Sequence, residues 1–188
     1  DVDGALIITA TTGNITQGSE LEVGTTSTFT TSASNGTITL NDADNTFTGA
    51  VALNTDGSSG NATIKNDRAL ILAASTVDGT LTATATAGNI TQNGILTIGE
   101  AAKFITTTDD QSIVLGMNNV FGSHVTMQAG DGDNATFDNI TFKDTNGVDL
   151  VSSAPSSAGK LFIDAGTDLA VGGNLSITAT TGNITQSG

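Results

Sequence analysis

The chain has 188 residues, with nineteen acidic and five basic side chains and a formal charge of −14. It therefore lacks the clustered Lys and Arg of a nucleic-acid-binding surface, and an anionic membrane surface is disfavoured for the same reason. There is no cysteine, which excludes disulfides, thiolate metal ligands and a cysteine nucleophile. No apolar run approaches the length of a membrane span.

One phrase occurs three times, as GALIITATTGNITQ at 4–17, GTLTATATAGNITQ at 79–92 and GNLSITATTGNITQ at 173–186. In the first copy Leu6, Ile8 and Ala10 share one face, and this period of two is typical of a strand with one buried face. The Gly-Asn corner that follows suits unusual backbone angles. Behind the corner an isoleucine returns to the interior: Ile15, Ile90 or Ile184.

In chain order, the alternation predicts nine short strands in the first unit. They are 6–11, 14–16, 21–23, 28–31, 37–40, 46–48, 51–53, 62–65 and 70–73. The second unit repeats the series, and no stretch shows the period of an amphipathic helix. Three strands per coil of about 20 residues predict an all-β parallel β-helix of roughly eight or nine coils. Such a rod would be on the order of 40 Å long.

The repeat extends far beyond the opening phrase. Gly79 follows Gly4 by 75 positions, and Val125 follows Val51 by 74. The second unit is about twenty residues longer than the first, and the excess near 142–166 is predicted to be one inserted coil. The chain is thus interpreted as a single β-helix segment, 1–188, of a longer chain. Its units are 4–78 and 79–172, with a third starting at 173–188. We expect Leu6, Leu81 and Leu175 to lie above one another.

The run TATTGNITQ is followed by LEVG, then by TFTTSASNGTITLNDADNTFTGAVAL and ATIKNDRALILAASTVDGTLTATATAGNITQ. This series resembles the repeats of large filamentous-haemagglutinin-like bacterial adhesins, which are exported by two-partner or autotransporter routes. The resemblance covers essentially the whole chain. It implies a right-handed parallel β-helix within a long extracellular fibre, used for adhesion, aggregation or biofilm.

Paired acids occur in three polar loops, at Asp42 and Asp44, Asp109 and Asp110, and Asp131 and Asp133. Clustered carboxylates can hold calcium, but no loop matches the known calcium-binding repeats. Solvated turns are the simpler interpretation. No catalytic, cofactor-binding or metal-ligating residue is therefore proposed, and a weak extracellular calcium site is left open.

Other chemistry finds less support. A glycosidase needs two carboxylates across a sugar, and Arg68 and His124 stand alone in the sequence, so we predict that the chain is not an enzyme. A polysaccharide-active β-helix enzyme is the minor alternative. Threonine rows such as Thr80, Thr82 and Thr84 recur once per long unit, which argues against an ice-binding plane. Corner asparagines, namely Asn14, Asn89 and Asn183, are expected to satisfy backbone polar groups.

The sequence thus predicts a structural stalk segment of a secreted or surface-attached bacterial adhesin fibre. The alternative is a self-assembling subunit of an extracellular filament or sheath. Expected partners are glycans or proteins on host or neighbouring cells, or further copies of the chain. Nucleic acid and membrane insertion of this segment are not expected.

Overall fold

The computed structural model describes residues 1–130, 139–146, 148–151, 160–163 and 173–186. All regular structure in these ranges is β-strand. The strands are β1 (Leu6–Ala10), β2 (Ile15–Thr16), β3 (Glu22–Val23), β4 (Ser27–Ser34), β5 (Ile38–Leu40), β6 (Thr46–Phe47), β7 (Val51–Asp56), β8 (Ala62–Asn66), β9 (Leu70–Leu72), β10 (Ser75–Val77), β11 (Leu81–Ala85), β12 (Ile90–Gln92), β13 (Leu96–Ile98), β14 (Ala102–Thr106), β15 (Ile113–Phe121), β16 (Val125–Gln128), β17 (Ile140–Asp144), β18 (Val148–Val151), β19 (Lys160–Ile163), β20 (Leu175–Ala179) and β21 (Ile184–Gln186).

Every strand pair in these ranges is parallel, and the strands form three stacks along the sides of a β-solenoid. The first stack contains β1, β4, β7, β10, β13 and the end of β15. The second contains β2, β5, β8, β11, β14, β16 and β19. The third begins with the pair β3–β6 and continues through β9, β12, the start of β15, β17 and β20. The predicted parallel β-helix fold is therefore confirmed.

The turns are longer and fewer than the sequence suggested. The structure has about six turns of about 23 residues rather than eight or nine of about 20. At roughly 4.8 Å per turn, the rod is about 29 Å long. All nine predicted strands of the first unit exist, with boundaries shifted by a few residues. β10 was not predicted, and it supplies the third side of its turn.

The core is a set of inward-facing columns inside the three stacks. Leu81 lies between Ala62 and Ala102 in the second stack, and all three side chains are buried. Two edge-to-face phenylalanine pairs fill the interior, with ring centroids 6.0 Å apart for Phe29–Phe47 and 6.1 Å apart for Phe104–Phe121. These pairs occupy equivalent positions of the two units, so the repeat in sequence is a repeat in packing.

Each repeat shifts the chain to the next side of the solenoid. From Leu6, three turns lead through Ser27 and Val51 to Leu72. The chain then crosses to the second stack before it reaches Leu81, the counterpart of Leu6. Leu175 opens the third copy in the third stack, above Ile140. The expectation that the three leucines stack on one another is therefore wrong, because the repeat holds three turns plus one third.

The predicted inserted coil near 142–166 falls largely outside the described residues. Its described strands β18 and β19 pair with each other, and β19 also pairs with β16. One step in the second stack, from Val125 to Leu161, takes 36 residues. Up to Val125 the steps in that stack take 19 to 24 residues.

Candidate functional site: corner amides and outward faces

The Gly-Asn corners behave as the sequence predicted. Gly13, Gly88 and Gly182 have φ values of 79°, 118° and 80°, a region that favours glycine. The asparagine that follows then ties its corner to the next turn. Asn14 Oδ1 accepts a hydrogen bond from the Thr37 backbone N–H at 2.9 Å. The same contact joins Asn89 to Ser112, Asn61 to Thr80 and Asn139 to Asn174.

A second amide device lies inside the corners and was not predicted. Gln17 and Asn45 exchange two side-chain hydrogen bonds, with Nε2 of Gln17 2.7 Å from Oδ1 of Asn45 and Nδ2 of Asn45 3.0 Å from Oε1 of Gln17. Gln92 and Asn119 make the same pair of bonds at 2.8 and 2.9 Å. We call each such pair a Gln–Asn clamp. Both clamps start from the glutamine that ends the GNITQ phrase.

Each Gln–Asn clamp connects three successive turns. Asn45 is fully buried, and its Oδ1 also accepts the Leu21 backbone N–H at 2.9 Å. Its Nδ2 donates upward to the Lys65 carbonyl at 3.1 Å. Asn119 makes the corresponding contacts with Leu96 N–H at 3.0 Å and Lys143 O at 3.1 Å. The clamps therefore satisfy buried polar groups that no strand ladder reaches.

A third polar position shows how the two units differ. Buried Asn66 accepts the Phe47 backbone N–H at 2.8 Å and donates to the Phe47 carbonyl at 3.1 Å. Asp144 takes the corresponding place under Phe121, whose N–H lies 3.4 Å from Oδ1. Burial raises the pKa of Asp144, while backbone N–H donors, including that of Phe121, oppose the rise. An ionised carboxylate cannot donate to a carbonyl as the Asn66 amide does.

The outward faces carry threonine columns on consecutive turns. Thr16, Thr39, Thr63 and Thr82 are successive register partners in the second stack. The prediction that threonine rows recur only once per long unit is therefore wrong, since unequal turn lengths hide the column in the sequence. Lys103 interrupts the column above Thr82. The adjacent column begins with Lys65 beneath Thr84, so the face is not a regular two-column threonine plane.

The predicted acidic loops have ordinary turn geometry where they are described. Asp42 Oδ1 accepts the backbone N–H of Asp44 at 3.1 Å, and Asp110 has a φ of 60°. Asp131 and Asp133 lie outside the described residues. Within the described ranges, no group of three or more His, Cys, Asp or Glu side chains is placed to hold a metal ion.

Arg68 and His124 lie apart on corners of the solenoid. The guanidinium Nε of Arg68 is 2.9 Å from Asp67 Oδ1, and this hydrogen bond lowers the pKa of the Asp67 carboxyl. His124 precedes β16, and its carbonyl accepts the Ala102 N–H at 3.0 Å. None of the described residues belongs to a helix of the length and hydrophobicity needed to span a membrane.

Comparison with known proteins gives one match. A family described as repeats of unknown function (DUF5649) matches residues 1–54 and 59–128. The break between the two stretches falls at the end of β7 and in the turn after it. Neither a curated protein nor a solved structure gave a match.

Proposed function

Since the chain belongs to the DUF5649 family of repeats of unknown function, we propose a function for it from its architecture. The chain is a structural stalk segment of a secreted or surface-attached bacterial adhesin fibre. It holds adhesive regions of the fibre away from the cell, where they contact glycans or proteins of host or neighbouring cells. No catalytic role is proposed for it.

The observation that carries this proposal is the way the turns are tied to one another. Each Gln–Asn clamp joins three turns, and the corner asparagines join each turn to the next. The buried columns run through these same turns as one continuous cluster. A rod in which each turn contacts mainly its neighbours can lengthen by repetition without changing its cross-section. Those properties suit a spacer.

Charge supports the same role. With nineteen acids against five bases, the rod repels copies of itself over most of its surface. A long fibre of such segments stays soluble and extended outside the cell. The absence of cysteine also makes folding independent of the redox state of the surroundings.

Immunogold electron microscopy on the cells that produce the protein tests the proposal. Antibodies raised against the 188-residue chain are expected to label fibres outside the cell envelope. An in-frame deletion of the segment is expected to reduce cell–cell aggregation while leaving growth unchanged. Labelling confined to the cytoplasm would contradict the proposal, as would unchanged aggregation in the deletion strain.

One observation favours the alternative of a self-assembling filament subunit. In the last described strands, the side chains of Leu175 and Ile184 are 38% and 50% exposed. Uncovered strand edges of this kind pair readily with other chains. End-to-end assembly predicts that Ile184→Lys abolishes filaments of the purified chain, whereas the stalk proposal does not require purified chains to form filaments.

A further inference from the structure

An apolar surface lies beside the second Gln–Asn clamp. It consists of Ile95, Val114, Met117 and Val120, which we call the β15 patch because three of the four belong to β15. Ile95 is 48% exposed and the other three are each 37% exposed. Ile95 is held against β15 because its neighbour Leu96 donates its N–H to Asn119 Oδ1. Core packing does not account for side chains that face solvent to this extent.

The first repeat supplies a matched surface of opposite character. The residues at the corresponding positions, 74 or 75 places earlier in the chain, are Glu20, Thr39, Asp42 and Thr46. The backbone is the same at both places: the N–H groups of Asp42 and Met117 each lie 3.4 Å from Oε1 of the clamp glutamine. The scaffold therefore accepts charged and polar residues, and the apolar character is specific to the second repeat.

The surface around the β15 patch also lacks acids. The segments 69–77, 89–98 and 112–121 contain neither Asp nor Glu, in a chain with nineteen acidic residues. These segments lie on one another, because β12 pairs with both β9 and β15. The turn above contributes Thr141 and Lys143, while its carboxylate, Asp144, is buried. An uncharged surface of three turns thus interrupts an acidic rod.

We propose that the β15 patch binds the same patch of a second copy of this chain, so that two rods lie side by side about a twofold axis. A second acidic rod is repelled elsewhere, but two acid-free surfaces can approach without that cost. A basic partner would instead be drawn to the acidic remainder of the rod. Four exposed side chains make a small interface, so the pairing is weak and depends on concentration.

Sedimentation equilibrium of the 188-residue chain tests this pairing. The weight-average mass of the natural chain is expected to rise with concentration toward that of a dimer. The variant Ile95→Glu, Met117→Asp, Val120→Thr carries first-repeat residues and is expected to associate about tenfold or more weakly. Ile7→Thr is the matched control, because Ile7 is an exposed apolar residue of β1, outside the patch, and its loss should leave the association unchanged. Unchanged circular dichroism confirms that each variant folds.

Two results would overturn the pairing. One is a natural chain that stays monomeric up to millimolar concentration. The other is association that survives the triple variant and is lost in Ile184→Lys, which would identify an end-to-end contact. The reciprocal variant Glu20→Ile, Asp42→Met, Thr46→Val places a second patch on another side of the rod. It is expected to produce species larger than dimers.

Discussion

Leu6 and Leu81 occupy the same position in consecutive repeats, yet they lie in different stacks of the solenoid. Leu6 pairs with Ser27 in the first stack, and Leu81 lies on Ala62 in the second. The first repeat contains ten strands, β1 to β10, while a turn uses three, so each new repeat begins one side further on. Whatever a repeat displays on its surface is therefore presented in a different direction by the next repeat.

Engineered disulfides test this geometry, because the natural chain has no cysteine. Thr63 and Thr82 are register partners, with an expected Cα separation of about 4.8 Å, within the range that a disulfide bridges. Thr63→Cys with Thr82→Cys is expected to oxidise to an intramolecular disulfide, seen as a loss of free thiol and an unchanged monomer mass.

The control pair is Ser58→Cys with Thr82→Cys. If a 75-residue repeat held three whole turns of 25 residues, the residue beneath Thr82 would be Gly57, and Ser58 would lie next to it. The structure places Thr63 there instead. Efficient oxidation of the control pair with none in the Thr63 pair would show that the repeat does not advance by a third of a turn.

The sequence predicts some features of this fold well and others poorly, for physical reasons. Alternation identifies β1 because Ile7 faces outward between Leu6 and Ile8, which pack against the core. The shift between sides is hidden, because turns vary between 19 and 24 residues and no fixed short period exists. The clamps escape notice because Asn45 and Asn119 stand in polar segments that read as surface turns. Their spacing from Gln17 and Gln92, 28 and 27 residues, is the signal that could have revealed them.

Removing the amide of Asn119 is expected to be strongly destabilising. Asn119→Ala leaves the Leu96 N–H and the Lys143 carbonyl without this partner and disrupts the clamp to Gln92. The expected loss in free energy of unfolding is about 2–4 kcal/mol, measured by urea denaturation. The exposed neighbour serves as control: Asn118→Ala should change stability by less than about 0.5 kcal/mol.

A double-mutant cycle separates the clamp from general loss of packing. Gln92→Ala alone breaks both bonds to Asn119, so the double variant should cost clearly less than the sum of the two single changes. Additive costs would mean that the two amides stabilise the fold independently.

Ser27 offers a change that should stabilise the protein. Its side chain is only 1% exposed, and its hydroxyl lacks a hydrogen-bond partner among the described residues. The corresponding residue of the second repeat is Ala102, which is buried in the same kind of inward column. Ser27→Ala is therefore expected to raise the free energy of unfolding by about 1 kcal/mol.

Another buried serine provides the contrast for Ser27. Ser75 Oγ accepts the Leu53 N–H at 3.1 Å and donates to the Ala73 carbonyl at 2.9 Å. Ser75→Ala should lower stability by about 1–2 kcal/mol, because it leaves those groups unpaired. If both serine variants shift the urea midpoint in the same direction, the explanation from hydrogen bonding is wrong.

Asp144 gives the protein a specific dependence on pH. Burial raises the pKa of its carboxyl, so the folded chain holds this proton more tightly than the unfolded chain does. The contribution of this group to stability therefore falls as pH rises from the ordinary aspartate value, 3.8, through the raised folded pKa. Above the folded pKa the cost of burying the charge is fully present.

Asp144→Asn is expected to remove this dependence and to stabilise the chain by about 1 kcal/mol at pH 7, because an amide can bind the Phe121 backbone as Asn66 binds that of Phe47. Urea denaturation between pH 3 and 8 should show the two proteins converging in acid, where the natural carboxyl is protonated. The reverse change, Asn66→Asp, should lower stability at pH 7 and introduce the same slope in the first repeat. A constant difference between the natural chain and the Asp144→Asn variant across that range would show that burial of the charge is not what separates them.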